Sequence, residues 1–354
     1  MTRTVLVTGA AGTVGNYVVG LAEAAGYRVV ASDIRAAGVR VPVRGEVRPA
    51  DLRDPGRVRE LVRGCDAIIH TAARLDVEAD SAALTQVNTD AVVHLYKAAR
   101  DTGVGRFVHV SDASLYASSD AAIGEDAPLA PRGRYGMSKH AAEVFFRGEP
   151  RDGPPWTILR AAAVYGRRGR HFAASLLAVG PILRLATPLL PRFEGGPRHD
   201  MVHAEDVARA LLFVLEREET AYEVFNVSDG DTMPLGDRIT ATFEAYGLRT
   251  FPAGRAPQAT IAALGRLCQL PGPYHTADAA ALAAWRLVVV RHGLRPALRP
   301  RLDRESLPLL YENLIVDSGK LRALGWEPRF ARFERGWREV LRWYQAERWV
   351  PRYG

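Results

Sequence analysis

Thr4-Val5-Leu6-Val7-Thr8-Gly9-Ala10-Ala11-Gly12-Thr13-Val14-Gly15 is the stretch that decides the fold. Thr4–Thr8 is a short, almost wholly apolar run, as a strand buried on both faces requires. Glycines then fall at 9, 12 and 15, and Thr13–Ala25 carries a helical pattern. In such a strand–loop–helix unit Gly9 allows the tight turn. Gly12 lets backbone approach a pyrophosphate, and Gly15 lets the helix pack closely on the strand. The helix start offers free N–H groups and the positive end of its dipole to the phosphates. A glycine triplet alone is weak evidence. Between a first strand and a first helix it reads as a dinucleotide cradle. Gly9, Ala11, Gly12, Thr13, Val14 and Gly15 are its expected cofactor contacts.

Outward from the loop, strand patterns recur at Arg28–Asp33, Ala67–His70, Arg106–Ser111 and Trp156–Arg160. Helical patterns separate them at Pro55–Arg63, Ala82–Asp101 and Tyr135–Arg147. This alternation predicts an α/β fold, a Rossmann-type doubly wound parallel sheet covered by helices on both faces. Ala204–Glu216 and Tyr222–Val227 return to that pattern. The expected division is a dinucleotide-binding domain over 1–168, rejoined by 201–227, and a smaller substrate-binding lobe from 169–200 and 228–331. A C-terminal helix and tail follow over 332–354. Ala281–His292 and Phe333–Gln345 read as amphipathic helices.

The second strand ends in Asp33, 18 residues after Gly15. A carboxylate there accepts from the adenosine ribose hydroxyls and repels a 2′-phosphate, which favours NAD. Ile34 follows as a further contact, and Arg35 leaves NADP open. Tyr135-Gly136-Met137-Ser138-Lys139 places a phenol and an ammonium at i and i+4, on one helix face. Only three lysines occur in the chain, Lys97, Lys139 and Lys320. An ammonium beside a phenol favours the phenolate, so Tyr135 is expected to be a general acid/base.

With these residues the chain resembles the extended short-chain dehydrogenase/reductase superfamily, its NAD-dependent epimerase/dehydratase-like branch. Asp51-Leu52 is similar to the adenine-contacting pair, and Ile69-His70-Thr71-Ala72-Ala73 to the motif beside the pyrophosphate. Asn88 matches the asparagine that buttresses the active site. Leu159-Arg160 with Val164-Tyr165-Gly166 resembles the sixth strand and its nicotinamide-side turn. His203–Ala208 and Leu324–Pro328 resemble two late signatures. The resemblance implies an NAD(H)-dependent oxidoreductase acting on a small molecule. Tyr135 would exchange a proton with the substrate oxygen. Lys139 would bind the nicotinamide ribose and tune Tyr135, and a Ser or Thr hydroxyl would orient the substrate. Relatives often form homodimers through a four-helix bundle, and Ala82–Asp101 and Tyr135–Arg147 are its expected counterparts here.

One position departs from the pattern. The orienting hydroxyl normally lies four residues before Tyr116, where this chain has Asp112. If strand alternation persists, Ser114 shares the face of position 112, so Ser114 is favoured as the substitute, with Ser111 next. Asp112 itself remains a candidate. The Asp-Glu pair of sugar-nucleotide dehydratases is replaced by Ala113 and Ser114, which argues against 4,6-dehydration. The apolar stretch Leu176–Leu190, and the likeness of Leu302–Trp326 to the 3β-hydroxysteroid/sterol dehydrogenase branch, favour a hydrophobic alcohol or ketone. Arg167, Arg168, Arg170 and Arg198 favour the alternative, a nucleotide sugar epimerised with bound NAD.

The 354 residues carry 47 basic and 40 acidic side chains. Residues 281–354 hold fifteen basic against eight acidic, so the whole excess is C-terminal. It is compatible with contact at an anionic membrane surface; a nucleic-acid partner is not expected. No run is long and apolar enough to span a membrane, and Pro181 and Pro188 break the nearest approach. No secretory leader is expected before the first strand. Two cysteines cannot make a disulfide framework, so a reducing, cytoplasmic setting is expected. His199 and His203 lack the glutamate and third ligand of a zinc motif, and no metal site is expected.

Overall fold

A computed structural model describes residues 3–39, 45–75, 80–170, 172–255, 257–300 and 304–353. Strands β1 (Thr4–Thr8), β2 (Arg28–Ser32), β3 (Glu46–Val47), β4 (Ala67–His70) and β5 (Arg106–Asp112) are joined by Trp156–Ala161 and Glu223–Val227 in one seven-stranded sheet. Its order is Glu223–Val227, Trp156–Ala161, β5, β4, β1, β2, β3, and its pairings are parallel. The order reverses beside β1, which opens a crevice at the strands' C-terminal ends, where ligands bind in such sheets.

Both sheet faces are buried. Leu6, Val30, Ile68, Phe107 and Ile158 face helices α2 (Pro55–Val62), α4 (Ala91–Asp101) and α5 (Gly133–Gly148) in one cluster with Val58, Leu95, Tyr96 and Phe146. Val5, Val7, Val29, Ile69 and Val108 turn the other way, towards α1 (Gly15–Ala24) and Ala204–Leu215. This period of two, apolar on both sides, is why the strands read as continuous apolar runs. A third cluster contains Tyr165, Leu177, Leu190, Phe243, Trp285, Trp337, Leu341 and Tyr344. The terminal helix Phe333–Ala346 supplies Phe333, Trp337, Val340, Leu341 and Tyr344 to this cluster.

Three expected boundaries are corrected by local chemistry. The first helix begins at Gly15, two residues later than expected, because Thr13 and Val14 belong to the loop. The helix expected over Ala82–Asp101 is three pieces: α3 (Ser81–Thr85), a single π turn over Gln86–Asp90, and α4. Such bulges frequently mark functional sites, and this one carries the buried Asn88. The helix expected over Ala281–His292 starts at Pro271, where a fixed φ suits the first turn, and ends at Gly293 with φ 56°. Part of the basic stretch Arg291–Arg304, residues 301–303, lies outside the described residues. No helix among the described residues is long and apolar enough to cross a membrane.

Candidate active site

The crevice is a cleft of about 450 Å³. Gly12, Thr13, Val14, Gly15, Thr71, Ala73, Ser111, Asp112, Ser114, Tyr135, Lys139 and Val164 line it together. Gly9 lies behind the loop with φ 71°, and a Cβ there would stand 2.6 Å from Ala72 N. A Cβ on Gly15 would strike the Gly9 carbonyl. Asp33 is tied to the same loop: its Oδ2 accepts the Ala11 N–H at 3.1 Å and its Oδ1 the Ile34 N–H at 2.9 Å. The glycine turn, with no room for a side chain at Gly9 or Gly15, and the carboxylate just after β2 fit a dinucleotide with an unmodified ribose. Ile34, Asp51 and Leu52 do not line the cleft. Ile34 is 61% exposed near the loop, and Asp51 is paired with Arg53 at 2.6 Å, which holds its carboxyl below the ordinary range. We expect Gly15→Val to abolish NAD binding, because the backbone contact it breaks has no flexible side chain to yield. Fluorescence titration with NADH checks this; retained affinity would disprove the cradle.

Asn88 is hydrogen-bonded to α5, the helix that carries Tyr135 and Lys139. Its Oδ1 accepts the Arg74 N–H at 2.7 Å, and its Nδ2 donates to Arg74 O at 3.0 Å and Ser138 Oγ at 2.9 Å. Ser138 Oγ in turn donates to Tyr135 O at 2.7 Å. In the first turn of α5, Glu305 accepts the Arg134 N–H at 2.7 Å. It also accepts the Tyr135 N–H, at 3.2 Å. That carboxylate satisfies free donors at the helix's positive end.

Lys139 is buried, and its Nζ donates to Val110 O at 2.5 Å and lies 3.4 Å from His109 Nε2. Burial pulls its pKa down to about 8, against the opposing pull of Asp112 and Glu143. His109 stacks on His70 at 5.3 Å across β4 and β5, and Thr8 Oγ1 lies 2.7 Å from His70 Nδ1. Burial keeps both imidazoles neutral, His70 falling to about 3 and His109 well below its usual value. A neutral His109 can accept from the Lys139 ammonium.

Ser114 shares the cleft with Asp112, as expected, but it does so from a turn and not from a continuing strand. β5 ends at Asp112, and the chain turns at once into a 3₁₀ turn over Ala113–Leu115. Strand alternation therefore does not carry to Ser114, which is exposed at the cleft wall. Ser111 is buried and its hydroxyl donates to Glu143 at 2.6 Å. Asp112 caps the turn through Ser114 N at 2.7 Å, while its Oδ2 stands 3.5 Å from Tyr135 Oη.

Sequence reasoning missed several groups here. Glu143 is one turn beyond Lys139 on the same helix face, a spacing that could have flagged it. Glu305, Glu312 and Trp337 line the cleft from the distant lobe, and no local signal points to them. Of the arginines weighed for a diphosphate, Arg170 lines the cleft. Arg167 is paired with Glu339. Arg198 donates to Asp120 O. His203 caps its helix by accepting the Glu205 N–H, and His199 Nε2 donates to Glu312 O at 3.0 Å.

A parallel sheet with a glycine cradle at its reversal point and a Tyr–Lys pair in the same cleft defines a dinucleotide-dependent oxidoreductase. A family model described as the NAD dependent epimerase/dehydratase family matches residues 5–228, and the chain belongs to that family. Its members are NAD-dependent enzymes. The low-salt glycan biosynthesis protein Agl12 of Haloferax volcanii is 31% identical over 260 residues, 69% of this chain and 82% of that one. A decarboxylating sterol-4-alpha-carboxylate 3-dehydrogenase of Dictyostelium discoideum is 23% identical over 267 residues, covering 70% and 78%. The crystal structure of Thermus thermophilus UDP-glucose 4-epimerase with NAD superposes with TM-score 0.70 at 24% identity, covering 97% of this chain and 99% of that one. That last likeness speaks to the fold.

Proposed function

We propose that the protein moves a hydride between NAD and a secondary alcohol carbon of a nucleotide-activated sugar. The observation that carries the oxidoreductase part is the placing of Tyr135 and Lys139 in one cleft with the glycine cradle. NAD bound there supplies or takes up the hydride. Tyr135 would exchange the proton at the substrate oxygen, and Lys139, anchored on Val110 O, would hold the ribose and supply positive charge. Thr13, Val14, Thr71 and Val164 would flank the cofactor, with Asp33 on its adenosine ribose.

The name of the glycan-biosynthesis relative Agl12 favours the sugar over the hydrophobic substrate that the sequence suggests. A second reading, an apolar alcohol or ketone, has its own support. Ala161, Ala163, Ala174, Leu177, Leu309 and Val340 line the cleft, and Arg132 at its mouth is engaged by Glu312 at 2.7 Å. The Dictyostelium sterol enzyme supports that reading too.

One panel separates the two. The protein is incubated with NAD and UDP- or dTDP-hexoses, and in parallel with NAD and steroid or acyl alcohols and with NADH and the matching ketones. We expect a changed sugar, either an epimer without net NADH or an oxidised hexose with it. Turnover confined to the apolar set would replace the first reading by the second. Inactivity on both sets with tight NAD binding would remove both.

A further inference from the structure

Asp112 is a carboxylate where the resemblance expects a neutral hydroxyl. It is held firmly: one oxygen accepts the Ser114 N–H at 2.7 Å, and the other faces the Tyr135 phenol at 3.5 Å. That separation is too long for a strong hydrogen bond, so the carboxylate acts on the phenol chiefly through its charge. A negative charge a few ångströms away disfavours a second one on the tyrosine.

Charged groups of both signs share the cleft with Tyr135. Lys139 on α5 and Arg132 just before it supply positive charge, and Arg132 is paired with Glu312. Asp112 on β5 and Glu305 from the smaller lobe supply negative charge, Glu305 on the Tyr135 backbone N–H. His109 behind Lys139 is buried and neutral. With Asp112 replaced by a hydroxyl, Lys139 would act on the phenol with less opposition.

We propose that Asp112 is a positioning residue that keeps Tyr135 protonated at neutral pH and so biases the site towards proton delivery, the reducing direction. This rests on the reading of Tyr135 as the acid/base. In that direction the carbonyl carbon gains the hydride from NADH, and the C=O π bond breaks. The oxygen takes the Tyr135 proton. The phenolate left behind is raised in energy by the Asp112 charge and regains its proton from solvent.

The experiment needs no substrate in its first arm. Tyrosinate absorbance is followed against pH in the NAD-bound parent, Asp112→Ser, Asp112→Asn, Tyr135→Phe and Tyr135→Phe/Asp112→Ser proteins. We expect Ser and Asn variants to show one tyrosinate signal at a pH lower by about one. That shift should vanish when Tyr135 is Phe. In the second arm, with whichever substrate turns over, the alkaline fall-off of the reduction rate should move down by about one pH unit in both variants. Asn keeps the size of the side chain and an acceptor for Ser114, so a fold defect confined to Ser leaves the test standing. Identical titration curves for parent and Asp112→Asn overturn the proposal. If Tyr135→Phe turns over normally, the acid/base reading itself fails, a different result from an unshifted titration.

Discussion

Tyr135→Phe is expected to lower turnover by about 100- to 10,000-fold, the usual contribution of a positioned acid/base. NADH affinity should stay within a few-fold of the parent, because the cradle is built from backbone around Gly9, Gly12 and Gly15. The braces on α5 run through the backbone of Tyr135: Ser138 bonds its carbonyl and Glu305 its N–H. The loss should therefore fall on kcat and leave thermal stability nearly unchanged. Steady-state kinetics with NADH titration checks this, and a parent-like kcat would remove the phenol from the chemistry.

Glu143→Gln carries the largest expected effect on stability. Glu143 and Arg160 are both fully buried, with Arg160 Nη2 2.6 Å from Glu143 Oε2. Arg160 Nε adds bonds at 3.0 and 3.2 Å, and Ser111 donates at 2.6 Å. Arg160 Nη1 donates to Tyr116 Oη at 2.6 Å, and Tyr116 donates to Asn226 at 2.8 Å. Neutralising Glu143 leaves a guanidinium buried without its counter-charge, a defect of about 3–5 kcal/mol. Replacing both partners, as in Glu143→Met with Arg160→Met, should recover most of that loss, since an apolar pair leaves no charge stranded. By contrast, Glu223→Gln, which breaks the half-exposed pair to Lys320, should cost about 0–1 kcal/mol. Urea unfolding of the full chain measures all three, and a Glu143→Gln midpoint equal to the parent's would disprove the account. The network also explains why Ser111 is a poor orienting hydroxyl: its proton is committed to Glu143.

The phosphate loop was readable because every requirement in it is local. A strand, three glycines and a helix start impose their geometry over twelve consecutive residues, and Asp33 follows at a fixed distance along the chain and bonds the loop at Ala11. The Tyr135–Lys139 spacing was readable for the same reason, since i and i+4 share a helix face whatever surrounds them. Asp112 was visible only as a departure. Ser114 reaches the cleft through a 3₁₀ turn and not through strand alternation, because a strand's period ends when the chain turns, and the cap that ends it is Asp112 itself.

By itself the sequence determined the doubly wound sheet, the glycine-rich turn between its first strand and first helix, and the i, i+4 spacing of Tyr135 and Lys139. Each is written in periodicity or in spacing within one element. The tertiary structure alone decided which groups surround the phenol. Glu305 reaches the start of α5 from 170 residues away, and Asp112 meets Tyr135 across 23. His109 meets Lys139 across 30. Helix Phe333–Ala346 likewise supplies Trp337 and Val340 to the cleft. Such contacts are made by packing separate elements against one another, and no local pattern in the chain specifies which distant side chain closes a site.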